Sequence, residues 1–398
     1  MAARSYSDKD WDKIMETLQA TEGQFGLPER VYGSVVLGSF NIRKLGAPKN
    51  RNQRTWEFLA HVCRHFDFLA VQEIQDDLRG LRKLMGLLGP DFGLIVSDAT
   101  GTFPGGPGLA ERLGFIFNWR VVQRTEIATD ISYDRSRVLE TLALNRDDLE
   151  KPLDKLGEAL EDIQEWEAGG KPPPKPKKPK VKLPVFITFI RQPFCVSIRI
   201  SGHIDTEPYE LMAVNAHLYF GDFISDRRQE FEALMAWILA RVKQNDRAYC
   251  PNFLLLGDLN LDFDNPDMDR ERIEKYIKTF NNKSGEEVQV NFPFLDPHPK
   301  GNGEVFRTNA RQKETFDQIG LFSRDKRLPD FRANATMATN PLGPDYGVFN
   351  FVELFSHALK GRPYEELRGA EKADFLARFE HKVSDHMPLW IRLPLPTT

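Results

Sequence analysis

The chain has 398 residues and a formal net charge of −4, with acidic and basic residues interspersed. This length can bury a large core in one or two domains, and the charge balance excludes a protein that binds nucleic acid through bulk positive charge. The three cysteines lack metal-ligand or disulfide spacing, and no signal peptide or transmembrane segment is recognisable, so a cytoplasmic protein is predicted.

The first third of the chain alternates between patterns typical of strands and of amphipathic helices. A short helix is predicted over 8–20, because Ser7 and Asp10 have the spacing of a capping box, and 1–30 is interpreted as a helical extension. The alternation that follows favours a layered fold of the α/β or α+β type. Strands are predicted at 34–40, 68–71, 92–97, 112–118 and 121–127, and helices at 53–66 and 76–88.

A segment in the middle of the chain differs in composition from its neighbours. Residues 146–168 are strongly charged with a thin helical apolar stripe, and residues 171–182 are rich in proline and lysine, which favours an extended conformation. We therefore expect 143–183 to be an insertion that projects from the core. Its lysines could contact a polyanion, but a solvated linker is the preferred interpretation.

The remainder of the chain returns to strand patterns, apart from 262–312, which is polar, weakly patterned and predicted to be rich in loops. A helix is predicted over 224–243, and 351–380 is predicted to be mostly helical. Strands are predicted at 185–190, 194–200, 210–214, 253–256, 315–322 and 387–393.

Polar side chains recur where apolar strand runs end. Residues 253–256 are all apolar and close at Gly257, after which Asp258 and Asn260 point to one side of an extended chain. Taken alone, this pattern is equally consistent with a polar turn. Strand ends are nevertheless where side chains from neighbouring strands converge. Further polar residues in such positions are Asn41, Glu73, Asn215, His217, Asp317, Asp385 and His386.

The ordered set of these motifs resembles the endonuclease/exonuclease/phosphatase superfamily, and within it the members similar to pancreatic-type deoxyribonuclease. The motifs span residues 34–394 and read, in order, SFNIRKLG, FLAVQEI, AERLGFIF, RQPF, GDLN and SDHMPL. The resemblance implies an α+β fold, a four-layer α/β/β/α sandwich of two mixed β-sheets packed face to face with helices outside. The catalytic domain would span residues 31–396.

The resemblance also implies a reaction, which is hydrolysis of a phosphodiester by an activated water. Two histidines would transfer protons near neutral pH, each beside a carboxylate that favours its charged form. An aspartate would align the water, and an asparagine would hold a phosphate oxygen. The implied catalytic residues are His217 with Glu111, His386 with Asp317, and Asp258 and Asn260.

A divalent cation is implied as cofactor. Asn41, Glu73 and Asp385 would supply the oxygen ligands that Mg²⁺ or Mn²⁺ prefers, and no Cys/His cluster favours zinc. Substrate binding is implied for Asn215 and for two arginines, Arg43 and Arg191, whose guanidinium groups suit phosphate. The expected partner is nucleic acid, with DNA as the substrate of an endonuclease, whereas protein partners are not indicated.

The chain departs from the pancreatic pattern in the residues that would hold a duplex. A tyrosine expected shortly before Glu111 is replaced by Leu109 and its glycine-rich neighbours, and an arginine expected after Glu73 is replaced by Gln75. Two alternatives therefore stay open. One is a phosphatase or a sphingomyelinase-like phospholipid phosphodiesterase on the same scaffold, and the other is a catalytically silent phosphate-binding module.

Overall fold

Two mixed six-stranded β-sheets pack face to face in the computed structural model. The structure describes residues 5–397 apart from 22, 76, 102–109, 180, 182, 184, 220–223, 245–248, 262–269, 285–287 and 302. Strands β1 to β12 are Ser34–Leu45, Phe68–Gln75, Phe92–Val96, Glu111–Asn118, Val122–Asp130, Phe194–Ile200, Tyr209–His217, Phe253–Asp258, Gln289–Asn291, Asp317–Ser323, Asp345–Val348 and Leu389–Pro394. Helices α1 to α9 are Asp8–Ala20, Gln53–Cys63, Arg79–Leu88, Arg135–Leu144, Arg146–Ala168, Ile224–Lys243, Glu271–Ser284, Phe351–Lys360 and Gly369–Lys382.

Each sheet is built around one parallel pair of strands. The first sheet has the order β11-β12-β1-β2-β4-β3 and the second β5-β6-β7-β8-β10-β9. The parallel pairs are β1 with β2 and β7 with β8, and the other neighbours are antiparallel. Asn41 is opposite Gln72 in the first pair, and His217 is opposite Asp258 in the second. Asn41 donates a hydrogen bond to Asp258 across the two sheets, which shows that the carboxyl ends of both parallel pairs lie next to each other.

Strand β8 shows why its apolar run has no alternation of apolar and polar residues. Leu254 and Leu256 point between the two sheets and belong to the larger buried cluster. Phe253 and Leu255 point to the opposite face, where they pack with apolar side chains of α6 and α7. Both faces of the strand are covered, as predicted for a run of four apolar residues.

The helices cover the outer faces of the sheets. Apolar side chains of α1, α2, α3, α8 and α9 join the cluster around the first sheet, and those of α6 and α7 cover the second. Helix α1 begins with the predicted capping box between Ser7 and Asp10, and its Trp11 ring packs edge-on against Phe355 of α8. The sandwich with helices on both outer faces is therefore confirmed.

The segment between β5 and β6 differs from the predictions. Helix α4 was not predicted, whereas α5 matches the predicted range. The strand predicted at 185–190 is wrong. Phe186 and Phe189 instead pack with Tyr133 in a small aromatic cluster, and the N–H of Ile190 donates to a side-chain carboxylate of α6 instead of a strand.

Further differences lie after β8. The loop predicted over 262–312 contains α7 and β9, which are joined by Asn281, whose side chain donates to Val290 O and accepts from its N–H. Residues 351–380, predicted to be mostly helical, are covered by two helices, α8 and α9. Helix α8 ends at Gly361, whose φ of +68° is a conformation that glycine adopts without strain.

Two general expectations concern the whole chain. The three cysteines are buried and unbonded to one another. In the part of the chain that the structure describes, no helix combines the length and the apolar character that crossing a membrane requires.

Candidate active site

A cleft of about 670 Å³ opens where the carboxyl ends of the parallel strands meet. Residues from both sheets and from the connections after them line it. The lining residues are Arg43, Lys44, Glu73, Gln75, Glu111, Arg191, His217, Asp258, Asn260, Asn309, Arg311, Lys313, Glu314, Phe316, Glu380, Asp385 and His386. Most of the predicted site residues are therefore brought together in one cleft.

Asp258 lies at the centre of the cleft floor and is buried. Its Oδ2 atom is 3.7 Å from Nε2 of His217 and 3.5 Å from Nε2 of His386. The same oxygen accepts a hydrogen bond from Nδ2 of Asn41, and Oδ1 accepts one from the backbone N–H of Asn260. Four of the predicted site residues thus meet around the carboxylate of a fifth, Asp258.

The surroundings of Asp258 favour its ionised form. Burial alone would raise the pKa of this carboxyl group, but the charges of His386 and His217 and the hydrogen bonds from Asn41 and Asn260 outweigh burial and lower the pKa. Asp258 is therefore an anion that faces two imidazole rings, which is an arrangement suited to holding and deprotonating a water molecule.

His386 is oriented by Asp317, the first residue of β10. Its Nδ1 lies 2.8 Å from Oδ2 of Asp317, whose side chain is completely buried. Burial would lower the pKa of His386, but the negative charges of Asp317 and Asp258 outweigh it and raise the pKa well above its usual value. The ring is thus fixed with Nδ1 toward Asp317 and Nε2 toward the cleft.

His217 lies beside Glu111, the first residue of β4, in an ion-pair contact. Oε2 of Glu111 lies 3.1 Å from Nδ1 of His217 and 2.8 Å from Nε of Arg191. Burial opposes ionisation of Glu111, but His217 and Arg191 outweigh it and lower the pKa of the carboxyl group. Arg191 also donates to the carbonyl oxygens of His217 and Leu218, so its guanidinium group holds the end of β7 in place.

The three predicted metal ligands offer oxygen atoms that suit a divalent cation. Oδ1 of Asn41 and Oδ1 of Asp385 are buried and, among the described residues, have no hydrogen-bond donor. The carboxylate of Glu73 lines the cleft, and its Oε2 accepts the N–H of Lys44. Buried oxygens without a donor are uncommon in folded proteins, and a hard cation would satisfy them. The donor set therefore fits Mg²⁺ or Mn²⁺.

A second group of possible ligands lies beside the first. Ligand atoms of Asp258, Asp317 and His386 are all within 4.8 Å of one another. The cleft therefore contains an acidic and histidine-containing group that could hold a metal ion, in addition to the oxygen donors of Asn41, Glu73 and Asp385.

The backbone is strained around the cleft. Eight non-glycine residues in the described part of the chain have φ between +44° and +66°, a region that costs about 1–2 kcal/mol for a residue with a side chain. Five of the eight lie in the cleft or directly beside it, which indicates that strain is concentrated at the site. They are Lys44, Glu73, Ala110, Asn260 and Gln312.

Asn215 does not reach the cleft surface. Its side chain is completely buried below the floor, where Nδ2 donates to Val71 O and Gly114 O of the first sheet. Its Oδ1 accepts from Nε2 of Gln72, also in the first sheet. The position of Asn215 is therefore that of a polar link between the sheets, and it does not support the predicted contact with substrate. Leu109, where a tyrosine was expected, lies outside the described residues.

Two contributors to the site were not singled out from the sequence. Oγ of Ser384 donates to Asn41 O and accepts from the N–H of Arg43, which joins the end of β1 to the segment that carries His386. Ser384 stands in the motif SDHMPL, so its position was a usable signal.

Glu230 of α6 is the second contributor. Its side chain is buried, and its two oxygens accept from the N–H groups of Ile190 and Tyr219, each at 2.7 Å. Ile190 precedes Arg191, and Tyr219 follows the end of β7, so one carboxylate holds the two segments that carry Arg191 and His217. No local pattern marks a glutamate within an amphipathic helix for such a role.

The sequence matches a family model and is distantly related to a curated protein. The description of the matching family model is Endonuclease/Exonuclease/phosphatase family, and the match covers residues 38–386. A deoxyribonuclease of Thioalkalivibrio sp. (strain K90mix) is 25% identical over 241 residues, which are 59% of this chain and 48% of that protein. The chain thus spans about half the length of this curated relative.

Two solved structures are similar in architecture at low sequence identity. A mannosyl-6-phosphatase of Bacteroides thetaiotaomicron is 12% identical with a TM-score of 0.44, over 90% of this chain and 98% of that one. Truncated TDP2 of Caenorhabditis elegans is 12% identical with a TM-score of 0.44, over 92% of this chain and 98% of that one.

Proposed function

The chain belongs to the endonuclease/exonuclease/phosphatase family, whose members act on phosphoesters, and from this premise we propose that it is a metal-dependent endonuclease that hydrolyses phosphodiester bonds in DNA. The observation that carries the proposal is the contact of one buried carboxylate, Asp258, with the Nε2 atoms of His217 and His386. The curated relative, a deoxyribonuclease, supports DNA as the substrate.

The reaction needs a water that is aligned and deprotonated and a leaving oxygen that is protonated. Asp258 aligns the water. His217 and His386 form the acid–base pair, because each ring is fixed at Nδ1 by a carboxylate and turns Nε2 to the same side of Asp258. A ring that is already oriented does not have to reorient when the proton moves. The free energy of orienting it is therefore not part of the reaction barrier.

The phosphate is held by groups around this centre. Asn260 donates one N–H of its amide to Leu218 O, and its second N–H is left for a phosphate oxygen. Arg43 lies 3.3 Å from Asp385 and is partly exposed in the cleft, so its guanidinium group can also contact the phosphate. Arg191 acts instead as a positioning residue, because it is buried and paired with Glu111.

Asn41, Glu73 and Asp385 would hold Mg²⁺ or Mn²⁺. When bound, such an ion stabilises the negative charge that accumulates on the phosphoryl oxygens. The chain's own residues prepare this position, since Ser384 fixes the backbone of β1 beside Asn41, and the strained backbone of Glu73 directs its carboxylate toward the cleft.

The alternative of a silent phosphate-binding module has less support. Every carboxylate and histidine of the proposed catalytic set is present, and the members contact one another in pairs. A binding module would gain nothing from burying three carboxylates around two imidazole rings, because burial of ionisable groups costs free energy.

The test is hydrolysis of bis-(p-nitrophenyl) phosphate with Mg²⁺, Mn²⁺ or EDTA, followed by a panel of plasmid DNA, single-stranded DNA, RNA and sphingomyelin. The proposal expects metal-dependent release of nitrophenol and nicking of the plasmid. Asp258→Asn, purified in parallel, excludes a contaminating nuclease if it is inactive. No release with either metal would overturn the proposed reaction, and faster hydrolysis of sphingomyelin than of DNA would overturn the proposed substrate.

A further inference from the structure

A closed turn at residues 308–314 precedes β10 and carries two cations into the cleft. The N–H of Thr308 donates to Glu314 O at 2.9 Å, which closes the turn. Oδ1 of Asn309 accepts from the N–H groups of Lys313 and Glu314 at 2.9 and 3.1 Å. The backbone of the turn is thus fixed by hydrogen bonds within the turn itself.

The turn is also attached to the segment that carries the proposed catalytic histidine. The N–H of Ala310 donates to Asp385 O at 2.7 Å, and the N–H of Met387 donates to Thr308 O at 2.6 Å. Asn309 and His386 are therefore paired as in an antiparallel bridge. A group bound by the turn lies beside the reaction centre in the same cleft.

Two cationic side chains of the turn, Arg311 and Lys313, line the cleft. Arg311 has 64% of its side chain exposed, and its Nε lies 3.1 Å from the carboxylate of Glu380. The carbonyl oxygen of Glu380 accepts from Arg43, so two guanidinium groups are attached to one residue of α9. Lys313 is exposed and, among the residues that the structure describes, no carboxylate lies within 4 Å of its ammonium group. The turn contains one acidic residue, Glu314, against these two cations.

We propose that the turn at 308–314 binds a phosphate next to the scissile one, through Arg311 and Lys313, and that the substrate is therefore a polynucleotide chain. This inference rests on the proposed function. The reaction centre has its own phosphate contacts in Asn260 and Arg43, so two further cations on the wall serve a second negative charge. A polynucleotide supplies one phosphate per nucleotide, whereas a small diester supplies none beyond the reacting one.

The same charges disfavour the phospholipid alternative. A phosphocholine headgroup carries a quaternary ammonium, which proteins bind with aromatic faces. Arg311 and Lys313 would repel that cation beside the reacting phosphate. The chemistry of the turn thus separates a polynucleotide from a choline phospholipid on the same scaffold.

The experiment compares a 20-nucleotide DNA strand with bis-(p-nitrophenyl) phosphate for wild type, Arg311→Ala, Lys313→Ala and the double variant. We expect the double variant to lose about 10-fold or more in kcat/KM on the oligonucleotide beyond any loss on the small diester. The slope of log KM against log salt concentration should become shallower by about 0.7, because each phosphate neutralised on a single strand contributes about 0.7. Lys313→Arg, which keeps the positive charge, should retain part of the affinity that Lys313→Ala loses.

Lys326→Ala is the matched control. Lys326 is exposed in the turn at the opposite end of β10, away from the cleft, and its removal changes the net charge by the same amount as each single variant. Equal losses on both substrates, or no loss on either, would overturn the inference. A wild-type protein that hydrolyses neither substrate would overturn the proposed function itself. Circular dichroism of each variant checks the fold, and the single Lys313→Ala variant decides the question if the double variant does not fold.

Discussion

Nδ1 of His386 lies 2.8 Å from Oδ2 of Asp317, and the two residues are 69 positions apart in the sequence. Asp317 is also the direct partner of Asp258 in the register of β10 and β8. The sheet therefore sets the distance between the two aspartates, and the imidazole ring connects them from above. The position of the His386 ring therefore depends on the pairing of two strands.

The first prediction concerns the two histidines. His217→Ala and His386→Ala should each lower the rate on bis-(p-nitrophenyl) phosphate by about 10²–10⁴-fold, the usual effect of a positioned acid or base. His381→Ala, an exposed position five residues from His386, is the control and should keep the wild-type rate. Rates within a few-fold of wild type in both variants, together with a large drop in Tm, would indicate structural histidines instead.

The double variant of His217 and His386 gives a second prediction. Both Nε2 atoms contact the same oxygen of Asp258, and residues that act as a unit are not additive. The double variant should therefore lose much less than the product of the two single losses. A loss in the double variant equal to the product of the two single losses would mean that the two rings act in separate steps.

A third prediction concerns the metal. Activity should vanish in EDTA and return with Mg²⁺ or Mn²⁺, and Glu73→Gln should raise the metal concentration for half-maximal rate by about tenfold or more. Calorimetric titration with Mn²⁺ should show the same weakening without any substrate. Asp77→Asn, four residues after Glu73 and outside the cleft lining, is the control. Full activity in EDTA contradicts the assignment of these ligands.

A fourth prediction uses the buried carboxyl of Glu230. Burial raises its pKa above the ordinary value of 4.5, against the smaller effect of its two backbone hydrogen bonds. The folded protein thus binds this proton more tightly than the unfolded chain, so ionisation lowers stability as pH rises from 4.5 through the folded pKa. Glutamine does not ionise. The free energy of unfolding of Glu230→Gln, relative to wild type, should therefore increase as pH rises through that window.

Urea unfolding at several pH values measures this difference, and a difference independent of pH refutes the explanation. Activity tests the positioning role separately. Glu230→Ala leaves the N–H groups of Ile190 and Tyr219 without an acceptor, so kcat should fall, and Glu230→Gln, which keeps one acceptor oxygen, should recover part of it.

The fifth prediction concerns the insertion, which we propose is dispensable for the fold. Leu149 and Val181 are buried, but neither belongs to the clusters that form the core of the two sheets. Deletion of 144–182 keeps the aromatic cluster of Tyr133, Phe186 and Phe189. We expect the shortened protein to fold and to hydrolyse bis-(p-nitrophenyl) phosphate at the wild-type rate. Failure to fold would show that the segment belongs to the core.

What the sequence could predict is local. Strand β8 was recognisable because both of its faces are covered by apolar layers, which produces an unbroken apolar run. Asp258 and Asn260 were recognisable because polar residues directly follow that run. Pairing of the sheets was not recognisable from any pattern, and it entered only through the resemblance to a family.

What the sequence could not predict depends on contacts between distant segments. Residues 185–190 have the apolar composition of a strand, but the backbone N–H of Ile190 donates to the side chain of Glu230, 40 positions later in the sequence. Asn215 stands at a strand end, as the proposed catalytic residues do, yet its amide points below the floor to Val71 and Gly114. A position at a strand end indicates that a residue lies near the site. The face of the strand on which its side chain lies determines whether it reaches the cleft.

The bond between Ser384 and Asn41 joins positions 343 residues apart. Contacts of such separation form late, because the entropy of closing a long loop must first be overcome. The first 75 residues already contain β1, β2 and Glu73, whereas Asp385 and His386 are among the last residues to be made. The two halves of the cleft therefore come from opposite ends of the sequence, and the candidate site is complete only after almost the whole chain has been made.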